Sequence, residues 1–254
     1  MTSGPQNAAD HWPRLLVLGD QAFGVEFGDT VDPGLSGKVL ALDAAITAGM
    51  KSGALGPGII ETVPTYRSLA VHVDPFVADI DAIAAAVLDM ARRIAPLPSS
   101  PRRWRVPVAY GGAHGIDLEA TAARHGITPT ELIDRHSSPI YRVYMIGFLP
   151  GFTYLGGIDP RIATPRRDNP RLKTPAGTIG IGGIQAGIQS VEAPSGWHLL
   201  GTTPVRTFMP GREPVFLIAP GDEVSFYPIP AERFEVLARA AAAGDPVAEL
   251  VVRT

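Results

Sequence analysis

The chain contains no cysteine. Composition alone therefore excludes disulfides, thiolate metal sites and a cysteine nucleophile. An excess of base is missing too: 22 Lys and Arg stand against 25 Asp and Glu, a net charge of -3. Nucleic acid is not an expected partner, because a phosphate backbone demands clustered positive charge. No apolar run reaches the roughly 20 residues that cross a bilayer, and the alanine-rich stretch at 82–87 is bounded by Asp81 and Asp89. The opening MTSGPQNAADHWP has no apolar core of a signal peptide and reads as a frayed tail. No HExxH pattern or other metal motif is visible, so no metal is expected on this chain. These absences together predict a cytoplasmic protein.

What is present suits one large domain or two modest ones, since 45% of 254 residues are hydrophobic. The first half alternates strand and helix. Residues 15–18 and 24–27 read as a hairpin around Gly19-Asp20. Asp32-Pro33 opens a helix, with Asp32 as cap and Pro33 in the first position. Leu35, Val39, Leu42 and Ile46 form its apolar stripe, and Gly49 can end it. Residues 59–63 and 68–73 read as strands. Asp74-Pro75 repeats the cap-plus-proline signal, followed by a stripe through Phe76, Ile80, Ile83, Val87, Ala91 and Ile94. Gly49, Gly53, Gly56 and Gly58 suggest a phosphate loop at first sight. They follow a helix and lack a GK[ST] tail, so they read as a helix exit. This pattern predicts a ferredoxin-like α/β sandwich over 11–100.

The second half differs. Asp117 is expected to cap a short helix, and Thr128-Pro129-Thr130-Glu131 a better one, with Glu131 closing a capping box. Beyond Pro139, short apolar runs alternate with glycine and proline. Interior Pro costs a helix about 3 kcal/mol and Gly about 1 kcal/mol, so residues 141–201 read as β structure. Residues 214–218 are expected as a strand and 224–227 as the last one, within a closed or nearly closed barrel spanning 101–230. Residues 231–254 complete the chain as a helix and tail.

Several side chains carry candidate chemistry. His136, beside two serines, can transfer a proton or simply cap a helix end. Phe148 and the bend Gly147-Phe-Leu-Pro150-Gly151-Phe152 can wall a pocket, with Tyr144 and Tyr154 adding phenol donors. Arg161, Arg166, Arg167, Arg171 and Lys173 form a local basic cluster able to hold carboxylate or phosphate, or to stay solvated with Asp168 pairing one of them. Gln185 can bind a carboxamide or tie down a turn. Glu192, Trp197 and His198 lie in one short run: the acid and the imidazole are acid/base candidates, and the indole a packing surface. Ser195 is outside GxSxG, which leaves a hydrolase nucleophile elbow unsupported.

The strings ETVPTYRSL (61–69), HSSPIYRVYMIGFLPGFTYLGG (136–157), DPRIATPRR (159–167), TPAGTIGIGG (174–183) and PSGWHLLGTTP (194–204) resemble the allophanate hydrolase subunit 1 / carboxyltransferase-domain family. The resemblance extends over nearly the whole chain. It implies a ferredoxin-like N-terminal domain followed by a cyclophilin-like β-barrel domain. It also implies a non-autonomous enzyme: the B subunit of an ATP-dependent 5-oxoprolinase, which opens 5-oxo-L-proline to L-glutamate with subunits A and C. ATP with Mg2+ would act in that assembly. Arg166, Arg171 and Lys173 are then candidates for its anions, with Tyr144, Phe148, Pro150, Gly151, Gln185 and Trp197 for a substrate or partner pocket, and His136, Glu192 and His198 for proton transfer. The same family includes KipI-like inhibitors of a sensor histidine kinase and subunits of other amide or urea hydrolases such as allophanate hydrolase, which are the alternative readings. One departure is local: the family often carries QTGxYP, where this chain reads QAGIQSVEAP, with Gln189 in place of an aromatic.

Overall fold

The computed structural model describes residues 12–96 and 101–251. The N-terminal tail, most of the proline-serine connector before Pro101 and the last three residues lie outside them. The chain divides into two compact units, Met1–Ser99 and Ser100–Thr254.

In the first unit, β1 (Arg14–Val17), β2 (Ala22–Glu26), β3 (Ile59–Pro64) and β4 (Ser68–Val73) form one antiparallel sheet in the order β1-β2-β4-β3. Helix α1 (Pro33–Ser52) links β2 to β3, and α2 (Ile80–Arg93) follows β4. The cap at Asp32 forms as expected, its carboxylate accepting from Leu35 N at 2.9 Å. Gly53, with φ 75°, ends the helix in the left-handed conformation that glycine adopts without steric cost. Val39, Leu42 and Ile46 of α1 and Ile83, Val87 and Ala91 of α2 share one core with Phe23, Val25, Leu69 and Val71.

The second cap lies elsewhere than expected. Asp74-Pro75 makes a turn, with Asp74 accepting from Phe76 N at 2.9 Å, and α2 starts later, under Asp79. Asp followed by Pro suits the first two positions of a type I turn as well as a helix start. Phe76, expected on the apolar stripe, is 96% exposed as a result.

The second unit is built on a closed ring of seven strands. They are β5 (Arg103–Tyr110), β6 (Tyr141–Ile146), β7 (Thr153–Gly156), β9 (Thr178–Gly182), β10 (Gln185–Ile188), β12 (His198–Thr202) and β13 (Glu223–Pro228). Their order is β12-β9-β10-β7-β6-β13-β5, and β5 pairs back onto β12 at Gly201↔Tyr110. Closure leaves no long edge exposed. β5 is long enough to serve two neighbours on one side: its far end meets β12, and its start pairs with β14 (Glu249–Val251). Helices α3 (Leu118–Arg124) and α4 (Pro129–Ser137) contribute Leu118, Ala122 and Leu132 to the same core as Val106, Val143, Ile181 and Phe226. Outside the ring, β8 (Arg171–Thr174) and β11 (Ala193–Ser195) pair with each other, and α5 (Ala231–Ala242) leads into β14.

Three expectations are corrected here. Residues 214–218 are not a strand but a loop with a single bridge, Phe208↔Phe216. Arg212 braces this loop by donating to the carbonyls of Arg206 and Pro214, beside two backbone bonds, Met209 N to Val215 O and Leu217 N to Thr207 O. β13 is not the last strand, because β14 adds to β5. Asp117 makes no capping hydrogen bond for α3; its carboxylate is engaged elsewhere. Thr128 does cap α4, accepting from Glu131 N at 3.1 Å, while the Glu131 carboxylate pairs with Arg135 one turn on.

Candidate functional site: an aromatic cleft over a bed of glycines

The alternation Thr-Ile-Gly-Ile-Gly in β9 gives the strand two unlike faces. Ile179 and Ile181 enter the core, as do Ala186 and Ile188 of β10. On the opposite side, Gly180, Gly182 and Gly187 leave room for the Trp197 side chain. A Cβ at Gly182 or Gly187 would come within 2.9 Å of the indole, and one at Gly180 within 3.3 Å of the Trp197 Cβ. Three missing side chains thus make a flat seat for one large ring.

Around that ring lies an open cleft of about 640 Å³, lined by Phe148, Phe152, Tyr154, Arg166, Arg167, Pro170, Gln189, Pro194 and the Ser195–Trp197 turn. Phe152 and Tyr154 meet the indole edge-on, with centroids 5.6 and 6.1 Å away. Phe148 is 72% exposed with φ 67°. A bulky residue held in the left-handed region is strained, and such strain concentrates at binding loops. The loop is closed by Gly147 N donating to Phe152 O and Phe152 N to Leu149 O. Gly151 permits this bend: φ is 76°, and a Cβ there would strike Phe208 at 2.5 Å. Gly151 and Pro150 shape the loop without lining the cleft. The Tyr154 phenol is pushed up by burial, with the Arg166 charge pulling the other way.

The guanidinium of Arg166 stands 5.8 Å from the Trp197 ring centroid and makes no ion pair among the described residues. Arg166 and Arg167 are shared with a second, more polar basin of about 600 Å³ that also has Arg124, Asp168, Asn169 and His198 on its walls. The His198 imidazole is 2.9 Å from Pro165 O through Nε2, which fixes that nitrogen as the donor.

The other predicted site residues are placed differently. Arg171 donates to Asp117 at 2.6 Å, and Arg167 lies 3.5 Å from the same oxygen; the second Asp117 oxygen accepts from Leu199 N at 2.8 Å. Asp117 is buried, so the positive charge of Arg171 is already answered within the fold. Lys173 faces Glu192 at 3.3 Å, both well exposed, which makes an ordinary solvated pair of two predicted groups. His136 is not at the cleft. It is fully buried, stacked 5.0 Å from Phe226, with Nδ1 2.8 Å from the Tyr110 hydroxyl. Burial lowers its pKa to about 3, so it is neutral at physiological pH. Tyr144 is packed over Gly156 rather than opening on the cleft. Gln185 starts β10 opposite Gly182 and is not on the cleft lining.

In sequence, Gln189 stands out only as a departure from an aromatic pattern. The structure makes it part of the cleft floor: it is buried, and Nε2 donates to Val191 O at 3.0 Å. Thr174 opens the string TPAGTIGIGG, but nothing in the sequence marks it as a site residue. Its hydroxyl is buried without a partner in a small recess behind Trp197. A threonine at a strand end looks ordinary in sequence; only the pairing of β8 with β11 sets it opposite Ala193, in a recess it shares with Trp197. Among the described residues no group of three or more His, Asp or Glu forms a metal site, and no helix is long and apolar enough to cross a membrane.

A closed β ring and a separate sheet-and-helix unit, with an aromatic cleft and a neighbouring arginine-lined basin on the second unit, define a two-unit protein. Residues 13–218 match the family described as "Carboxyltransferase domain, subdomain C and D", and the chain belongs to that family. Among curated relatives, it is 37% identical over 224 residues to the B subunit of 5-oxoprolinase from Bacillus subtilis, covering 84% of this chain and 91% of that one. Among solved structures, a conserved uncharacterized protein from Pyrococcus horikoshii is 40% identical, with a TM-score of 0.52 over 87% of this chain and all of the other. The urea amidolyase of Kluyveromyces lactis shares the fold, with a TM-score of 0.76 at 19% identity over 93% of this chain and 16% of its own.

Proposed function

We propose that this chain is the B subunit of a 5-oxoprolinase and that it acts with subunits A and C to open 5-oxo-L-proline to L-glutamate. The observation that carries this reading is the 37% identity to the Bacillus subtilis B subunit across nine-tenths of that protein. The cleft is compatible with it. Phe148 and Tyr154 offer apolar surface for a small planar ring, and Arg166 offers a cation for a carboxylate. His198, on the adjoining basin, is the acid/base candidate nearest to that arginine pair. A lactam is a poor electrophile, and phosphorylation of its oxygen would ease ring opening. ATP with Mg2+ therefore belongs to the assembled enzyme in this reading. The arginine-lined basin suits anionic oxygens, whereas Arg171 and Lys173 are engaged by carboxylates of this chain.

At the level of fold, we read the first unit as ferredoxin-like. The run β2-α1-β3-β4-α2 has the strand order β2-β4-β3 of a split βαβ sandwich, and β1 takes the place beside β2 that a final strand would fill. We read the ring as cyclophilin-like and the protein as cytoplasmic. The decisive experiment is reconstitution: labelled 5-oxoproline and ATP are incubated with A and C alone, and with this chain added. Turnover that needs the chain supports the proposal; equal turnover without it refutes it.

A further inference from the structure

The recess behind Trp197 has a property the cleft alone does not explain. It is lined by Phe152, Thr174, Gln189, Ser195, Trp197 and the adjoining strand backbone, with room for one water-sized group at its base. Phe152, Gln189, Ser195 and Trp197 also line the open cleft, so the recess adjoins it. Thr174 is 1% exposed, and its hydroxyl has no hydrogen-bond partner among the described residues. Buried hydroxyls without a partner are disfavoured; Ser36, Thr121 and Ser190 carry such hydroxyls too, but of the four Thr174 is the one that lines this recess. Ser195 Oγ accepts from Trp197 N at 3.2 Å, which leaves its own proton to donate. Two hydroxyl-bearing residues, from the paired strands β8 and β11, therefore line one recess with room for a single water-sized group.

From this geometry we infer that the recess receives the carbonyl oxygen of a small cyclic amide, whose ring lies along Trp197 and whose carboxylate is held by Arg166. The inference rests on the proposed function for its ligand, and it adds an orientation: amide inward, carboxylate outward. It makes Thr174 a specificity-determining residue. A site built to satisfy a ligand oxygen rejects an analogue lacking it, because the buried donors are then left unpaired. It also separates the two ends of the ligand between two residues that can be changed independently.

The test is equilibrium binding to the full chain, by calorimetry or ligand-observed NMR, with three probes. These are 5-oxo-L-proline, L-proline (no ring carbonyl) and 2-pyrrolidinone (no carboxylate). Thr174→Val keeps the shape and removes the hydroxyl; Thr174→Ser restores it. We expect Thr174→Val to weaken 5-oxo-L-proline and 2-pyrrolidinone by about tenfold, the value of one good hydrogen bond, and to leave L-proline unchanged. Thr174→Ser should recover most of the loss. Arg166→Gln should weaken 5-oxo-L-proline and L-proline but not 2-pyrrolidinone. Matching circular dichroism melts show that the variants remain folded. The inference is overturned if the wild-type chain binds none of the probes at millimolar concentration, or if Thr174→Val affects all three alike or none. Either result leaves the proposed function intact as long as reconstituted turnover still requires the chain, so the two failures are distinguishable.

Discussion

The two sides of the barrel wall at β9 and β10 are made from the same short stretch of chain and behave oppositely. On the core side, Ile179, Ile181, Ala186 and Ile188 are fully buried, and His136 on the same unit is sealed against Phe226 and tied to Tyr110. On the cleft side, glycines replace the aliphatic side chains, one indole fills the space, and Arg166 and the Thr174 hydroxyl keep unused capacity. Burial without a partner is not itself the distinction, since His136 Nε2 lacks one too. What differs is the surroundings: the imidazole is packed among aromatic rings, whereas Thr174 lines a recess that shares Phe152, Gln189, Ser195 and Trp197 with the cleft. A candidate site is thus recognised by unspent polar atoms beside a cleft, and less by which residue types occur.

The strongest challenge to this contrast is Asp117→Ala. If Asp117 anchors the arginines of the cleft wall, its removal leaves Arg171 and Leu199 N without their acceptor. Truncating one partner of a largely buried pair should then cost about 3 kcal/mol, read as a lower denaturation midpoint. A loss below about 0.5 kcal/mol would show that Arg171 is free for an external anion after all.

Gly182→Ala tests the seat itself. The backbone there is not left-handed, so the effect is steric: the new Cβ must push on the Trp197 ring. A destabilisation of about 2 kcal/mol is expected, in the range of overpacking, with a shifted Trp197 fluorescence maximum. The equivalent change at Gly24 in β2, where the nearest atoms to a new Cβ lie at 3.6 Å, is the control for the fluorescence readout.

His136 sharpens the other side. Its folded pKa is lowered by burial to about 3, below the ordinary value of 6.5. Between these values the unfolded chain binds the extra proton and the folded one does not. Stability must therefore fall as pH drops from about 6.5 toward about 3, with a slope approaching about 1.4 kcal/mol per unit from this group. His136→Phe should flatten that part of the pH–stability curve. An unchanged slope would mean that the imidazole is accessible and that the core is not sealed.

The smallest effect is expected from Glu192→Gln. Its partner Lys173 is exposed, so stability should change by no more than about 0.5 kcal/mol, and turnover of the reconstituted enzyme should be unaffected. A large loss of turnover would restore Glu192 as a proton-transfer group.

Local pattern carries much of the architecture. The caps at Asp32 and Thr128 form as expected, because a cap is a contact between residues three apart. The Ile-Gly alternation of β9 announces a strand approached closely by something. What approaches, Trp197, lies well beyond β9 in the chain and arrives by way of the β8–β11 pair, which no local period specifies. The same limit applies to the second helix start: Asp74-Pro75 and Asp79 are both acceptable openings, and only packing of Ile83 and Val87 on the sheet selects the later one.

By itself, the sequence determined the caps at Asp32 and Thr128, the two-faced strands, the glycines that must stay small and the family membership that those strings carry. Only the tertiary structure decided which charges and hydroxyls are spent. Arg171 is matched by Asp117 from 54 positions earlier, and His136 Nδ1 by Tyr110 from 26, whereas Arg166 has no ion pair and the Thr174 hydroxyl no hydrogen bond among the described residues. Periodicity reports which face a side chain takes, but hydrogen bonds and ion pairs depend on distances of about 3 Å, and those are set only when remote strands close the ring.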